Sequence, residues 1–214
     1  MQIEKIKLVG EAEKQVLGLK LPTDPRWVNM AEISVEDILS DHAYCEQKAA
    51  TSGITLIQGY PDKHELVREV APVVTEEWGH FRQVLAELDK RGLTLGQQRK
   101  DEYVIGLINF NHKGGDREDR LVDKLLTFAL IEARSCERFR LLSLYANDLD
   151  LQKFYHKFMV SEAGHYRMFL DLAKLYGGQN PKWGIERVMQ RWQEFLDFET
   201  VLMAQLEVRG DRMH

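Results

Sequence analysis

The sequence predicts an all-α chain of four long helices arranged as two pairs, with an additional N-terminal or connecting helix and a C-terminal helix packed outside. Three observations carry that expectation. Apolar residues recur at spacings of three and four over long stretches, the helical period rather than the alternating period of strands. Only five prolines interrupt 214 residues. Glycines and prolines fall at the ends of the periodic runs, as at Gly59 and Pro61, Gly92, Gly114 and Gly115, and Gly177 and Gly178. The length suits one well-buried core, and no compositional change marks a boundary, so residues 1–214 are expected to form a single domain.

A first long helix is expected from Ser34, an N-cap followed by Asp37, to about Gln58. A second runs from about Asp62 to Arg91 and ends at Gly92, with Pro72 expected to kink it or split off a short leading helix. A shorter helix over about Gln97 to Phe110 leads into the glycine loop His112-Lys-Gly-Gly-Asp116, whose aspartate caps the third long helix, Arg117 to Tyr145. The fourth spans about Leu149 to Tyr176, with Gly177 and Gly178 as its stop. A final amphipathic helix, Trp183 to Val208, offers Trp192, Phe195, Phe198 and Leu202 for docking.

Hydrophobic residues at 44% and charged residues at 29% describe a globular protein rather than a disordered or fibrous one. The first ten residues, MQIEKIKLVG, lack the apolar core of a secretory signal, and no later run is long enough to span a bilayer, so a cytoplasmic location is expected. Cys45 and Cys136 have no CxxC spacing, which argues against a disulfide framework, a zinc ribbon or a rubredoxin-type site; both are expected to be buried apolar residues. A net charge of −5 excludes a general nucleic-acid coating protein. Any such contact must be local, the candidates being Lys90 with Arg91, Arg99 with Lys100, Lys113 with Arg117 and Arg120, and Arg187 with Arg191.

The chemistry lies in an internal repeat. Glu77-Trp-Gly-His80-Phe-Arg82-Gln-Val-Leu85 and Glu162-Ala-Gly-His165-Tyr-Arg167-Met-Phe-Leu170 share the string Glu-x-Gly-His-aromatic-Arg-x-x-Leu. Upstream, Leu39, Ala43, Glu46 and Lys48 match Leu125, Ala129, Glu132 and Arg134 at a constant offset of 86, and the two Glu-x-x-His units are offset by 85. The halves read as two copies of one helical hairpin.

Positions i and i+3 share a helix face, so each Glu-x-x-His directs both side chains inward. Glu46, Glu77, His80, Glu132, Glu162 and His165 then supply four carboxylates and two imidazoles from four helices, the pattern of ferritin-like di-iron and di-manganese bundles. Carboxylate oxygens with one nitrogen per metal suit iron or manganese, whereas structural zinc uses more thiolate or histidine. His42 shares a face with Glu46, and Glu76 precedes Glu77; both are candidates to orient ligands. Ser161 stands where Glu76 would recur. Arg82 and Arg167 read as surface or carboxylate-pairing residues.

The stretches DHAYCEQKAA around Glu46, EEWGHFR around Glu77 and His80, LIEARSCERF around Glu132 and SEAGHYR around Glu162 and His165 resemble the tRNA 2-methylthio-N6-isopentenyladenosine hydroxylases over nearly the whole chain. The resemblance implies that Glu46, Glu77 and His80 bind one iron and Glu132, Glu162 and His165 the other, with Glu77 and Glu162 placed to bridge. It further implies a monooxygenase that inserts one atom of O2 into the isopentenyl group of a modified adenosine beside the anticodon. No flavin, nicotinamide or iron–sulfur motif is present, so an external electron donor, a reductase or ferredoxin, is expected. Lys113, Arg117 and Arg120 are the expected tRNA contacts. The alternative is a ferritin-like di-metal peroxidase or catalase, or an iron-handling protein.

Overall fold

The computed structural model describes residues 17–214, so the reading of the N-terminal MQIEKIKLVG lies outside the described residues. Among these residues the chain is all-α, as the periodicity predicts: seven helices and no strand. They are α1 (Arg26–Ile33), α2 (Val35–Gly59), α3 (His64–Lys90), α4 (Glu102–Phe110), α5 (Arg117–Tyr145), α6 (Leu149–Gln179) and α7 (Gly184–Gln205). They divide into two compact units, one of Asn29–Lys100 and Arg209–Met213, the other of residues up to Val28, Asp101–Val208 and His214, with the division falling inside α1.

In the first unit α2 and α3 form a hairpin. Ile38, Leu39, Ala43, Ala50 and Leu56 of α2 are buried, as are Leu66, Val70, Phe81, Val84 and Leu88 of α3, each set at helical spacing. Ser34 occupies the N-cap of α2 but does not cap it: its hydroxyl donates to Asp37 Oδ2 at 2.6 Å. Of the two outcomes expected at Pro72, a kink or a split, the split does not occur: α3 runs unbroken through it. Pro72 faces solvent, where water can satisfy the carbonyl it frees, while buried residues on either side hold the helix together. Gly92, at φ +67, ends α3 where expected, and the Leu93 N–H donates to Leu88 O.

The stretch from Leu93 to Lys100, partly expected to be helical, is instead held along α2 by side chains. Thr94 N and Oγ1 donate to Glu36, Gly96 N donates to Ser40 Oγ, and the Tyr44 hydroxyl donates to Gly96 O. Arg99 pairs with Asp37 and Asp211. These partners compete with the helical ladder, so α4 begins only at Glu102, where Asp101 caps it by accepting from Val104 N at 3.0 Å.

In the second unit α5 and α6 form the matching hairpin, with α7 packed on both and α4 against α7 and α5. Asp116 and Asp119 make a capping box at the start of α5, whose bounds are those expected. Leu121, Val122, Leu125, Leu126, Ala129, Leu130 and Ala133 are all fully enclosed, so α5 is covered on more than one face. Each such leucine contributes about 1.5–3 kcal/mol by burial.

Gly177 and Gly178 do not stop α6, which continues to Gln179. A Cβ on Gly177 would lie 2.1 Å from Val188 Cγ2, so the glycine serves the close approach of α7 instead. Trp192 and Phe195 of α7 are buried, and Phe198 stacks on Phe110 with ring centroids 4.2 Å apart, the expected docking role.

Candidate metal centre

Each hairpin buries one triad of the repeat. In the α2–α3 hairpin, Glu46 comes from α2 and Glu77 and His80 from one face of α3, at 4, 2 and 7% exposure. His80 Nδ1 lies 3.4 Å from Glu46 Oε2 and 3.4 Å from Glu77 Oε2. One ligand atom from each of the three side chains can fall within 4.8 Å of the others. His42, wholly enclosed one turn before Glu46, sets its Nε2 2.7 Å from Glu46 Oε1. The half-exposed Glu76 places Oε1 3.7 Å from His80 Nε2, on the ring edge away from Glu46 and Glu77.

In the α5–α6 hairpin, Glu132 comes from α5 and Glu162 and His165 from one face of α6, at 7, 2 and 5% exposure. Their ligand atoms also gather within 4.8 Å, and His165 Nδ1 lies 3.8 Å from Glu162 Oε2. Glu137 turns elsewhere: its carboxylate accepts from Thr23 N and Oγ1 and pairs with the buried Arg134. Cys136 is buried as expected, donates to Met159 O at 3.3 Å, and has its thiol pushed up to about 12 by burial and by the charges of Glu162 and Glu132. Cys45, expected to be buried, is half-exposed instead, because it lies to the side of the inward stripe of Ala43, Glu46 and Ala50.

The donor chemistry of each triad fits a divalent transition metal. Two carboxylates and one imidazole converge in a space from which water is largely excluded, and burying carboxylates is costly unless a cation or hydrogen bonds compensate. Hard oxygen with one nitrogen fits iron or manganese better than a thiolate-selecting metal.

The basic pairs singled out in the sequence are mostly neutralised. Lys90 and Arg91 both pair with Glu87, Arg99 with Asp37 and Asp211, and Arg187 and Arg191 with Glu194. Lys113 is exposed in the loop before α5, while Arg117 and Arg120 lie in its first turn. There Arg120 donates to Gly115 O, among Asp116, Glu118 and Asp119. Arg167 is at the surface, one of the two roles expected of it, and Lys153 and Lys157, which stand a helical turn apart rather than side by side and carry no sequence signal as a pair, are exposed on the same helix.

Residues 11–214 match the family described as tRNA-(MS[2]IO[6]A)-hydroxylase (MiaE). A tRNA 2-(methylsulfanyl)-N(6)-isopentenyladenosine(37) hydroxylase of Pseudomonas putida is 37% identical over 161 residues, which are 75% of this chain and 77% of that protein. Its namesake in Salmonella typhimurium is 27% identical over 205 residues, covering 73% and 75%. Among solved structures, a protein of Synechococcus with aldehyde deformylating oxygenase activity aligns with a TM-score of 0.82 at 31% identity, over 92% of this chain and 94% of that one. The likeness shows the ferritin-like, all-α fold that the ligand spacing predicts. Among the described residues no helix is long and apolar enough to cross a membrane.

Proposed function

We propose, since the chain belongs to the MiaE family of tRNA hydroxylases, that it hydroxylates the isopentenyl side chain of 2-methylthio-N6-isopentenyladenosine next to the anticodon of tRNA. The observation that carries the reading is the doubled buried triad, Glu46, Glu77 and His80 in one hairpin and Glu132, Glu162 and His165 in the other, within a chain that matches this family over residues 11–214. The chain is then one catalytic domain over residues 1–214, working in the cytoplasm where tRNA is.

In this reading each triad holds one iron of a two-iron centre, and the bound irons supply the reduction of O2 that the protein's own side chains cannot perform. The balance is one C–H bond, one O2, two electrons and two protons giving one alcohol and one water. The electrons come from a separate reductase or ferredoxin-class donor. The chain's residues bind and orient. The carboxylates offset metal charge, His80 and His165 fix one nitrogen per iron, and His42 holds the Glu46 carboxylate through the oxygen turned away from His80. The buried apolar residues one or two turns along the same helices, Leu39, Ala43, Val84, Leu125, Ala129 and Phe169, help keep bulk water from the triads.

The test is nucleoside mass spectrometry of tRNA after incubation with iron-loaded protein, a reductant and O2. One added oxygen on the isopentenyl-adenosine, absent with His165→Ala, is the expected result. Stoichiometric iron without oxygen insertion, together with peroxide consumption under anaerobic conditions, would replace the hydroxylase with a peroxidase.

A further inference from the structure

We propose that the outward face of α6 is the surface that grips the sugar–phosphate backbone of the RNA substrate; this rests on the tRNA reading above. Lys153, His156, Lys157 and Arg167 are all exposed on that helix. Lys153, Lys157, Val160, Gly164 and Arg167 follow one another at intervals of four and three, so they form one stripe, on the side of α6 opposite Glu162 and His165. At 1.5 Å per residue the stripe is about 21 Å long.

Its charge is one-sided. From Leu151 to Leu170 the only acid is Glu162, which is buried, so the exposed face of this stretch carries cations alone. Asp150 and Asp171 stand beyond its ends, and Asp171 is held by Lys174 at 3.0 Å. Among the described residues, Lys153, His156, Lys157 and Arg167 form no ion pair, whereas most basic pairs elsewhere are met by carboxylates. In a chain of net charge −5, a row of unneutralised cations is a local attraction for a polyanion.

The middle of the stripe is open. Gly164 is exposed, and a Cβ built there would meet nothing within 4 Å, so no contact among the described residues accounts for a helix-weakening glycine. With Val160 beside it, the gap lets a sugar come close to the helix backbone while phosphates meet lysine and arginine on either side. Exposed cations that pair with no carboxylate among the described residues suit backbone contacts, which position a nucleic acid, rather than base edges, which specify it. The same helix thus faces the metal with Glu162 and His165 and the RNA with its other side.

The experiment measures binding of tRNA to the iron-loaded full chain between about 50 and 200 mM salt. It compares wild type with Lys153→Gln/Lys157→Gln/Arg167→Gln and with Lys113→Gln/Arg117→Gln/Arg120→Gln. The α6 variant is expected to bind roughly 10–100-fold more weakly and to lose about 2–3 from the slope of log affinity against log salt, with iron content and melting temperature unchanged. Its KM for tRNA rises accordingly. Wild-type affinity and slope in the α6 variant, or a loss confined to the loop variant, would overturn the proposal while leaving the hydroxylase reading intact. A wild-type chain that neither binds nor hydroxylates tRNA would instead remove that reading and the α6 surface with it.

Discussion

His42 is the residue that links packing to chemistry most directly. It is wholly enclosed, lies one turn from Glu46, and takes up one carboxylate oxygen at 2.7 Å, leaving the other facing His80 Nδ1 at 3.4 Å. A partner of this kind fixes the rotamer of a ligand and tunes its basicity, and its loss commonly costs about 10–100-fold in metal affinity. His42→Leu should therefore bind iron roughly 10–100-fold more weakly in a chelator competition while keeping its helical circular dichroism; unchanged affinity would make His42 a packing residue only. The pairing of His42 with Glu46 was legible because i and i+4 share a helix face. Glu76 was legible as a residue that could orient a ligating histidine, but not which nitrogen of His80 it meets, since only the χ angles of both residues decide that.

At the scale of elements, the sequence resolved helices best where a side chain both starts the helix and satisfies its orphan N–H groups. The Asp116–Asp119 capping box put α5 at its predicted bounds. Glycine is ambiguous in the same reading, because it marks both a helix stop and a close contact: Gly177 looked like the end of α6 and is the seat of Val188. Tertiary ties were the least legible. Asp123 of α5 accepts from Arg191 Nε and Nη2 of α7 at 3.0 and 2.8 Å and from His112 N at 2.7 Å, joining residues 11 and 68 positions apart.

Burial works against the charge of Asp123, but the Arg191 guanidinium and the His112 N–H outweigh it and hold the carboxyl below its usual value of 3.8. For an acid with a depressed folded pKa, the stabilisation is complete above the unfolded value and is lost as pH falls through the folded one. Asp123→Asn should thus cost about 2 kcal/mol at neutral pH, since it removes the charge from the buried one of Arg191's two carboxylate partners and leaves Glu194 at the rim. In urea titrations the gap between wild type and variant should narrow below pH about 3.8. A gap that stays constant from neutral to acid pH would assign the loss to packing.

Across the whole chain, the repeat was readable because it imposes the same register twice, at offsets of 86 and 85 residues, and a pattern that long is not expected by accident. What it encodes is also a liability. Glu46, Glu77, Glu132 and Glu162 are all buried, and taking four carboxylates out of water costs stability that a bound cation offsets. The protein is therefore least stable without its metal, and binding energy becomes folding energy. At a free iron concentration about 100 times the dissociation constant, the gain is about 2.7 kcal/mol for one site. For a chain of this size that corresponds to roughly 5–10 °C in melting temperature. Chelation should lower the melting point by at least this amount, and re-addition of ferrous iron under anaerobic conditions should restore it. Glu77→Gln/Glu162→Gln separates this origin from a simple loss of contacts. Removing two buried charges should raise the melting point of the metal-free chain while abolishing its response to iron, whereas a variant that melts lower than the metal-free wild type would show that the carboxylates stabilise the fold by themselves.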